Sequence, residues 1–230
     1  MKATDIGIFL HRLAYSETSL IVTFYTKEKG LRKFIFKGGK KKAHSLFPMS
    51  IGELSYFERK DSDLLHLTAV EPATTHQFQF DPIKATIAFF IAEIVRKCVH
   101  PDEVDTAMFG FIEERVKLLN DSEGYYLFPV YFLIDLSEML GIQPYVKDET
   151  SQYFNLDEGT FESFDRIGNR VVSGDEVALI RARVTGQEAL TFGRSVREKA
   201  LEVMLDYFRI HVPGFDKIDS YDIIKEVLHA

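Results

Sequence analysis

Residues 19–37 read SLIVTFYTKEKGLRKFIFK, and the period of this stretch decides the fold. Leu20, Val22 and Phe24 alternate with Ile21, Thr23 and Tyr25, the period-2 signature of a strand with one buried face. The turn Lys27-Glu28-Lys29-Gly30 follows. Leu31–Lys37 then alternates again: Phe34 and Phe36 share a face with Arg32, while Lys33, Ile35 and Lys37 point the other way. Working outward, Asp5–Leu13 is an apolar run containing Gly7. Ile51–Arg59 and Leu64–Val70 complete about five strands, with Asp61-Ser62-Asp63 as the turn between the last two. Short strands with hairpin-length gaps predict a small closed barrel over residues 1–80.

At Asp81-Pro82 the period changes, an N-cap residue followed by proline at the first helical position. Ile83, Ile87, Phe90, Ile91 and Ile94 then recur at helical spacing. A second helix is predicted over residues 102–119, with Val104, Met108, Phe111, Ile112 and Leu119 inward. A third, over 126–140, has Pro129 in its first turn and ends at Gly141 with Pro144 beyond. Tyr153–Phe161 reads as a hairpin turning at Asp157-Glu158-Gly159. Ser173 with Glu176, and Ser195 with Glu198, have capping-box spacing and predict helices over 174–185 and 196–211. Ser220 is placed to cap a last helix over 221–229. The organisation expected is α+β: a barrel domain over 1–80, then a helical domain over 81–230 with a small β-hairpin insertion at about 145–170.

The bulk properties narrow the functional class. With 46% hydrophobic and 27% charged residues the chain has the composition of an ordinary globular protein. Its single cysteine, Cys98, allows no disulfide within the chain, which fits a reducing compartment. No apolar signal core follows the N-terminus, and no apolar run reaches membrane-spanning length, so a cytoplasmic location is expected. The net charge of −7 divides unevenly. Residues 1–80 carry 12 Lys+Arg against 8 Asp+Glu, net +4; residues 81–230 carry 16 against 27, net −11.

The basic charge is concentrated further. Between residues 27 and 42, Lys27, Lys29, Arg32, Lys33, Lys37, Lys40, Lys41 and Lys42 face a single acid, Glu28. The run Lys37-Gly38-Gly39-Lys40-Lys41-Lys42-Ala43-His44-Ser45 is its densest part, and its glycines would let the backbone approach a phosphate chain. Lysines in this number point to salt-dependent, sequence-independent binding of nucleic acid; the bland alternative is a solvated loop. The run is not a nucleotide-binding P-loop, because both the spacing and the Ser/Thr after Gly-Lys are missing. Among the barrel's aromatic residues Tyr25 falls opposite Val22 and Phe24 and is the expected exposed platform for base stacking. The seven histidines are scattered without ligand spacing, Cys98 has no partner cysteine and reads as a buried inert thiol, and no nucleophile elbow is present. No cofactor, metal or enzymatic activity is expected.

The order of these motifs resembles the RecO family of bacterial recombination mediators. The likeness rests on Tyr15-Ser16-Glu17-Thr18-Ser19-Leu20, then Thr26 and Gly30, then Lys37-Gly38-Gly39-Lys40. It continues through Leu140-Gly141 with Pro144, the hairpin ending at Gly159, and Leu205-Asp206-Tyr207-Phe208. The resemblance implies an N-terminal five-stranded oligonucleotide-binding (OB-fold) barrel and an all-helical C-terminal domain. It also implies a function in DNA repair and homologous recombination. Such a protein binds single- and double-stranded DNA without sequence preference and anneals complementary strands. With RecR it helps load RecA onto DNA coated by single-strand-binding protein, in the bacterial cytoplasm at the nucleoid. The DNA contacts it implies are Arg12, Arg32, Lys33, Lys37, Lys40, Lys41 and Lys42.

Two departures qualify the likeness. Many members carry a four-cysteine zinc module after the central helix; here Tyr145–Phe164 holds no cysteine, so no zinc module is expected. Some members place arginines at the start of that helix, where the tail of the single-strand-binding protein docks. Here the stretch is Tyr125-Tyr126-Leu127-Phe128-Pro129-Val130-Tyr131, and Arg115 and Lys117 are the substitute partner-binding residues considered. The competing readings are a non-catalytic OB-fold adaptor for protein partners with weak DNA binding, and a carboxylate-dependent nuclease.

Overall fold

The computed structural model describes residues 1–42, 46–58, 64–73, 78–101, 103–148, 150–164, 170–187 and 192–227. In chain order the elements are strands β1 (Lys2–Ala14), β2 (Leu20–Thr26) and β3 (Gly30–Phe36), the helical turn α1 (Gly39–Lys42), and strands β4 (Ile51–Phe57) and β5 (Leu64–Pro72). Helices α2 (Pro82–Cys98), α3 (Thr106–Asp121) and α4 (Phe128–Met139) follow. Strands β6 (Tyr145–Val146), β7 (Tyr153–Asn155), β8 (Thr160–Glu162) and β9 (Val171–Ser173) precede helices α5 (Asp175–Val184), α6 (Arg194–His211) and α7 (Tyr221–Val227).

The first five strands close into a barrel in the order β1-β2-β3-β5-β4, antiparallel except for the β3–β5 pair. This is the predicted barrel, with the strand connectivity of an oligonucleotide-binding fold. Strand alternation fills its interior: Phe9, Leu20, Val22, Phe24, Phe34, Phe36, Leu54, Tyr56, Leu65 and Leu67 form one cluster. Phe9, Phe24, Phe34 and Tyr56 meet edge-on in sequence, with centroids 5.3, 5.9 and 5.3 Å apart. Irregularities in register at Phe9/His11 and at Ser55/Tyr56 supply the bends that closure requires. The turn expected at Asp61-Ser62-Asp63 lies outside the described residues.

Two compact units result, Met1–Glu123 and Gly124–Ala230. The change from strand to helix falls at residue 81, and the Asp81 carboxylate caps α2 by accepting from Ile83 N and Lys84 N at 2.9 and 3.1 Å. The first unit nevertheless continues to Glu123, because α2 packs on β1 and α3 docks on Tyr25. Helix α3 starts later than its apolar pattern implied. Asp105 is the N-cap, accepting from Met108 N at 2.9 Å, so Val104 lies before the helix and is 51% exposed rather than inward. Met108, Ile112 and Leu119 are buried as expected.

In the second unit α4 begins with Phe128-Pro129 after a 3-10 turn at Tyr125–Leu127, and stops before Gly141, whose φ is +70°. The expected hairpin is present as β7–β8, but it is the centre of a larger sheet, ordered β6-β8-β7-β9. Phe154 and Phe161 stack at 4.7 Å on its covered face, against Tyr207 of α6. Neither capping box forms. Helix α5 starts after Gly174 and α6 after Gly193, with no side-chain cap at either. Ser173 is the last residue of β9, one position too early. Ser195 is inside the first turn of α6, and Glu198 pairs with Arg194 at 2.8 Å instead. Among the described residues no helix is long and apolar enough to cross a membrane.

Candidate nucleic-acid interface

Strand β3 delivers the lysine run. Phe36 is buried in the barrel core, and the chain leaves it through Lys37 and Gly38 into α1. Gly38 has φ +67°. Gly39 is buried, and a Cβ there would meet the Phe36 ring at 2.9 Å. The two glycines therefore make the turn and let it lie flat on an aromatic ring. The turn is tied to the β1–β2 loop by Lys40 N donating to Thr18 O at 3.2 Å, and Lys41 N donates to Gly38 O at 3.2 Å. Lys42 Nζ lies over the Phe36 ring, 5.5 Å from its centroid. Lys37, Lys40, Lys41 and Lys42 are thus exposed on a hydrogen-bonded turn. Ala43, His44 and Ser45 lie outside the described residues.

The remaining basic residues divide between faces and ends of the barrel. Arg12 is exposed near the end of β1, in register with Val22, at the same end as α1. Lys33 is exposed on the outer face, in register with Thr23. Arg32 is set apart. It pairs with Phe24 on the inner face, half-buried, toward the Lys27–Gly30 end. It lies four positions before Phe36, about 13 Å of strand. Its neighbour there is Tyr56, whose phenol pKa is raised by burial and by the Asp5 charge and lowered by Arg32. The structure brings Arg12, Lys37, Lys40, Lys41 and Lys42 to one end, leaves Lys33 on the flank, and puts Arg32 among the polar groups that close the opposite end.

Tyr25 is not an exposed platform. It is 2% exposed, its ring stacks on Phe109 at 6.1 Å, and its hydroxyl donates to Asp105 O at 3.2 Å. Burial raises its pKa to about 12. The outward face of a barrel strand is solvent-facing only where no helix covers it, and α3 covers this one. The aromatic ring that does stand out beside the lysine turn is Tyr15, 58% exposed, in the loop that holds Lys40. Its signal in the sequence was position: it follows the last alternating residue of β1, beyond the reach of the core.

Cys98 is 5% exposed, and burial pushes its thiol up to about 12, the inert thiol expected. His11, half-buried, has its pKa lowered first by desolvation and then by the Arg96 charge. Among the described residues no group of His, Cys, Asp and Glu is arranged to hold a metal. Arg115 and Lys117 lie on α3: the Arg115 guanidinium sits over Phe111 at 5.2 Å, and Lys117 pairs with Glu113 at 3.0 Å.

Comparison with known proteins agrees with this architecture part by part. The family model described as "Recombination protein O N terminal" matches residues 1–76, the barrel, and "Recombination protein O C terminal" matches residues 79–218. A protein of Flavobacterium psychrophilum named DNA repair protein RecO is 27% identical over 236 residues, covering 99% of both chains. Its namesake in Phocaeicola vulgatus is 28% identical over 241 residues, again covering 99% of both, and that of Bacteroides fragilis is 27% identical over 242 residues. Barrel, helical region and full-length matches together place this chain in the RecO family of DNA repair proteins.

Proposed function

We propose that this protein is a non-catalytic recombination mediator that binds single- and double-stranded DNA without sequence preference, anneals complementary strands, and with RecR helps load RecA onto DNA coated by single-strand-binding protein. The observation that carries the reading is the hydrogen-bonded turn Lys37–Lys42, which presents Lys37, Lys40, Lys41 and Lys42 beside Arg12 at one end of the barrel. Lysine ammonium groups are point charges without a planar fork, so they grip phosphate and ignore base identity. Lys33 supplies a further charge on the flank. Arg32, half-buried at the other end, contributes to barrel closure more than to DNA. The acidic remainder of the chain suits protein partners, with Arg115 and Lys117 as basic points for an acidic tail. The site of action is the bacterial cytoplasm, at the nucleoid.

The test is the triple variant Lys40→Glu, Lys41→Glu, Lys42→Glu. Affinity for single and double strands is expected to fall together, and the slope of log K against log salt to shrink by about 0.9 for each duplex phosphate no longer neutralised. Unchanged affinity and slope would remove the turn from the DNA site. Capture of RecR and of single-strand-binding protein, measured separately with and without DNA, checks the partner assignments. DNA binding lost at physiological salt alongside tight partner capture would favour the adaptor reading.

A further inference from the structure

We infer that the lysine turn is also a modification site: Lys37 and Lys40 take acyl groups from acyl phosphates, small dianions gathered by the turn's own cations, and each acyl group removes one charge from the grip on DNA. The inference rests on the proposed DNA binding and names a way to regulate it.

The state of the other lysines singles the turn out. Lys29 pairs with Glu58, Lys117 with Glu113 at 3.0 Å and Lys225 with Glu202 at 3.1 Å, and Lys84 Nζ donates to Asn120 O at 2.8 Å. An ammonium bonded to a carboxylate holds its proton more tightly, and the bond to Glu202 raises the pKa of Lys225. Lys37 and Lys40 are exposed, and their side chains make no ion pair among the described residues. Other exposed lysines stand among acids in the sequence. Lys147 precedes Asp148, Lys199 follows Glu198, and Lys217 lies between Asp216 and Asp219. Residues 37–42 hold Lys37, Lys40, Lys41 and Lys42 and no acid, with Arg12 at the same end of the barrel. In the loop of residues 15–19, which bonds to the turn through Thr18 O, Glu17 is the one acid.

The reaction is an acyl transfer. A lysine nitrogen that has released its ammonium proton attacks the carbonyl carbon of the acyl phosphate. The N–C bond forms, the C–O bond to the phosphate breaks, and its electron pair leaves with inorganic phosphate. Of the two protons the nitrogen gives up, one ends on the phosphate and one in solvent; nothing is oxidised or reduced. The turn supplies concentration. A surface of one charge sign raises the local level of an oppositely charged reactant by roughly 10- to 1000-fold in favourable cases. Lys42, parked over the Phe36 ring, and Arg12, whose guanidinium stays charged, hold the phosphate while a neighbouring amine reacts. The acylated lysine is neutral and no longer offsets a DNA phosphate.

The experiment treats the full chain with acetyl phosphate at low salt and follows each lysine by digestion and mass spectrometry. Lys37 and Lys40 are expected to react at least about tenfold faster than Lys147, Lys199 and Lys217. Acetyl N-hydroxysuccinimide, an uncharged donor, should show no such preference, and about 1 M salt, where the Debye length is about 3 Å, should erase it for acetyl phosphate. The double variant Lys41→Gln, Lys42→Gln should slow acetyl phosphate at Lys40 and leave the uncharged donor unaffected. Equal rates at the turn and at the three comparison lysines overturn the inference. So does the same preference with the uncharged donor, which would make exposure rather than anion capture the cause. Protein acetylated to a measured extent should then lose about 0.9 in the slope of log K against log salt for each turn lysine modified. Selective acetylation with an unchanged slope overturns the proposed DNA site, and the regulation with it. If the charge-reversed turn loses DNA but acetyl phosphate shows no preference, only this inference fails.

Discussion

The Tyr25 hydroxyl donates to the backbone carbonyl of Asp105, the residue that caps α3, at 3.2 Å. One side chain on the outer face of the barrel thus holds the start of a helix, and its ring stacks on Phe109 one turn further along. Close by, Gly30 has φ +66°, and a Cβ there would lie 2.0 Å from Glu103 O. Here the β2–β3 turn and the segment before α3 touch backbone to backbone. Gly30→Ala is expected to cost at least about 2 kcal/mol, from left-handed strain plus displaced backbone. Tyr25→Phe should cost about 1 kcal/mol, the ordinary net worth of one hydrogen bond. Urea unfolding of both variants checks the order; a Gly30→Ala protein as stable as the parent would contradict the close approach.

Asp5 gives stability a definite dependence on pH. The carboxylate is 6% exposed and accepts from Glu28 N at 3.3 Å to each oxygen. Burial raises its pKa, and the hydrogen bonds from Glu28 and Thr26 only partly offset this. A carboxyl raised in the folded state binds its proton more tightly there than when unfolded. Its contribution is therefore most favourable at acid pH and declines as pH rises from the unfolded value, about 4, through the raised folded value. In Asp5→Asn this component is absent. The stability of the parent minus that of the variant should fall across this window and level off above it. A difference that is flat between about pH 3.5 and 7 in denaturant titrations would count against it.

Cys98, with its thiol raised to about 12 by burial, is expected to resist disulfide reagents in the native protein at mildly alkaline pH. In denaturant the same reagent should titrate one thiol per chain, the only cysteine present. Rapid labelling of the native protein would show that α2 opens locally near its C-terminal end.

The second unit contains a two-pronged ion pair. Arg183 Nε and Nη2 donate to the Asp135 Oδ1 and Oδ2 at 2.9 and 2.6 Å, and the guanidinium lies over Tyr131 at 4.7 Å. The hydrogen bond to Asp135 raises the Arg183 pKa. Arg183→Lys keeps the charge and loses both the fork and the stacking. With the pair partly screened by solvent, the expected cost is about 1 kcal/mol. A double-mutant cycle with Asp135→Asn should recover most of that loss as coupling; no coupling would mean that the arginine acts only through packing.

What the sequence determined by itself was everything carried by local period and punctuation. Alternation in Leu20–Phe24 and Leu31–Phe36, the Asp81-Pro82 start and the Gly141 stop each act within a few residues, and each is seen in the structure. Spacing alone misled at Ser173 and Ser195, where a glycine ahead of each helix sets the N-cap. Which outward side chains meet solvent was decided only by tertiary structure. Tyr25 and Ile21 have the same place in the alternation, yet Tyr25 is buried under α3 while Ile21 is only half-buried. Likewise Arg32 and the lysine turn are neighbours in sequence but sit at opposite ends of the barrel, and Leu13 and Phe57 share one row although they are far apart along the chain. Period is a property of one strand; exposure depends on what other elements bury, and that is set by the closure of the barrel and the packing of α2 and α3 against it.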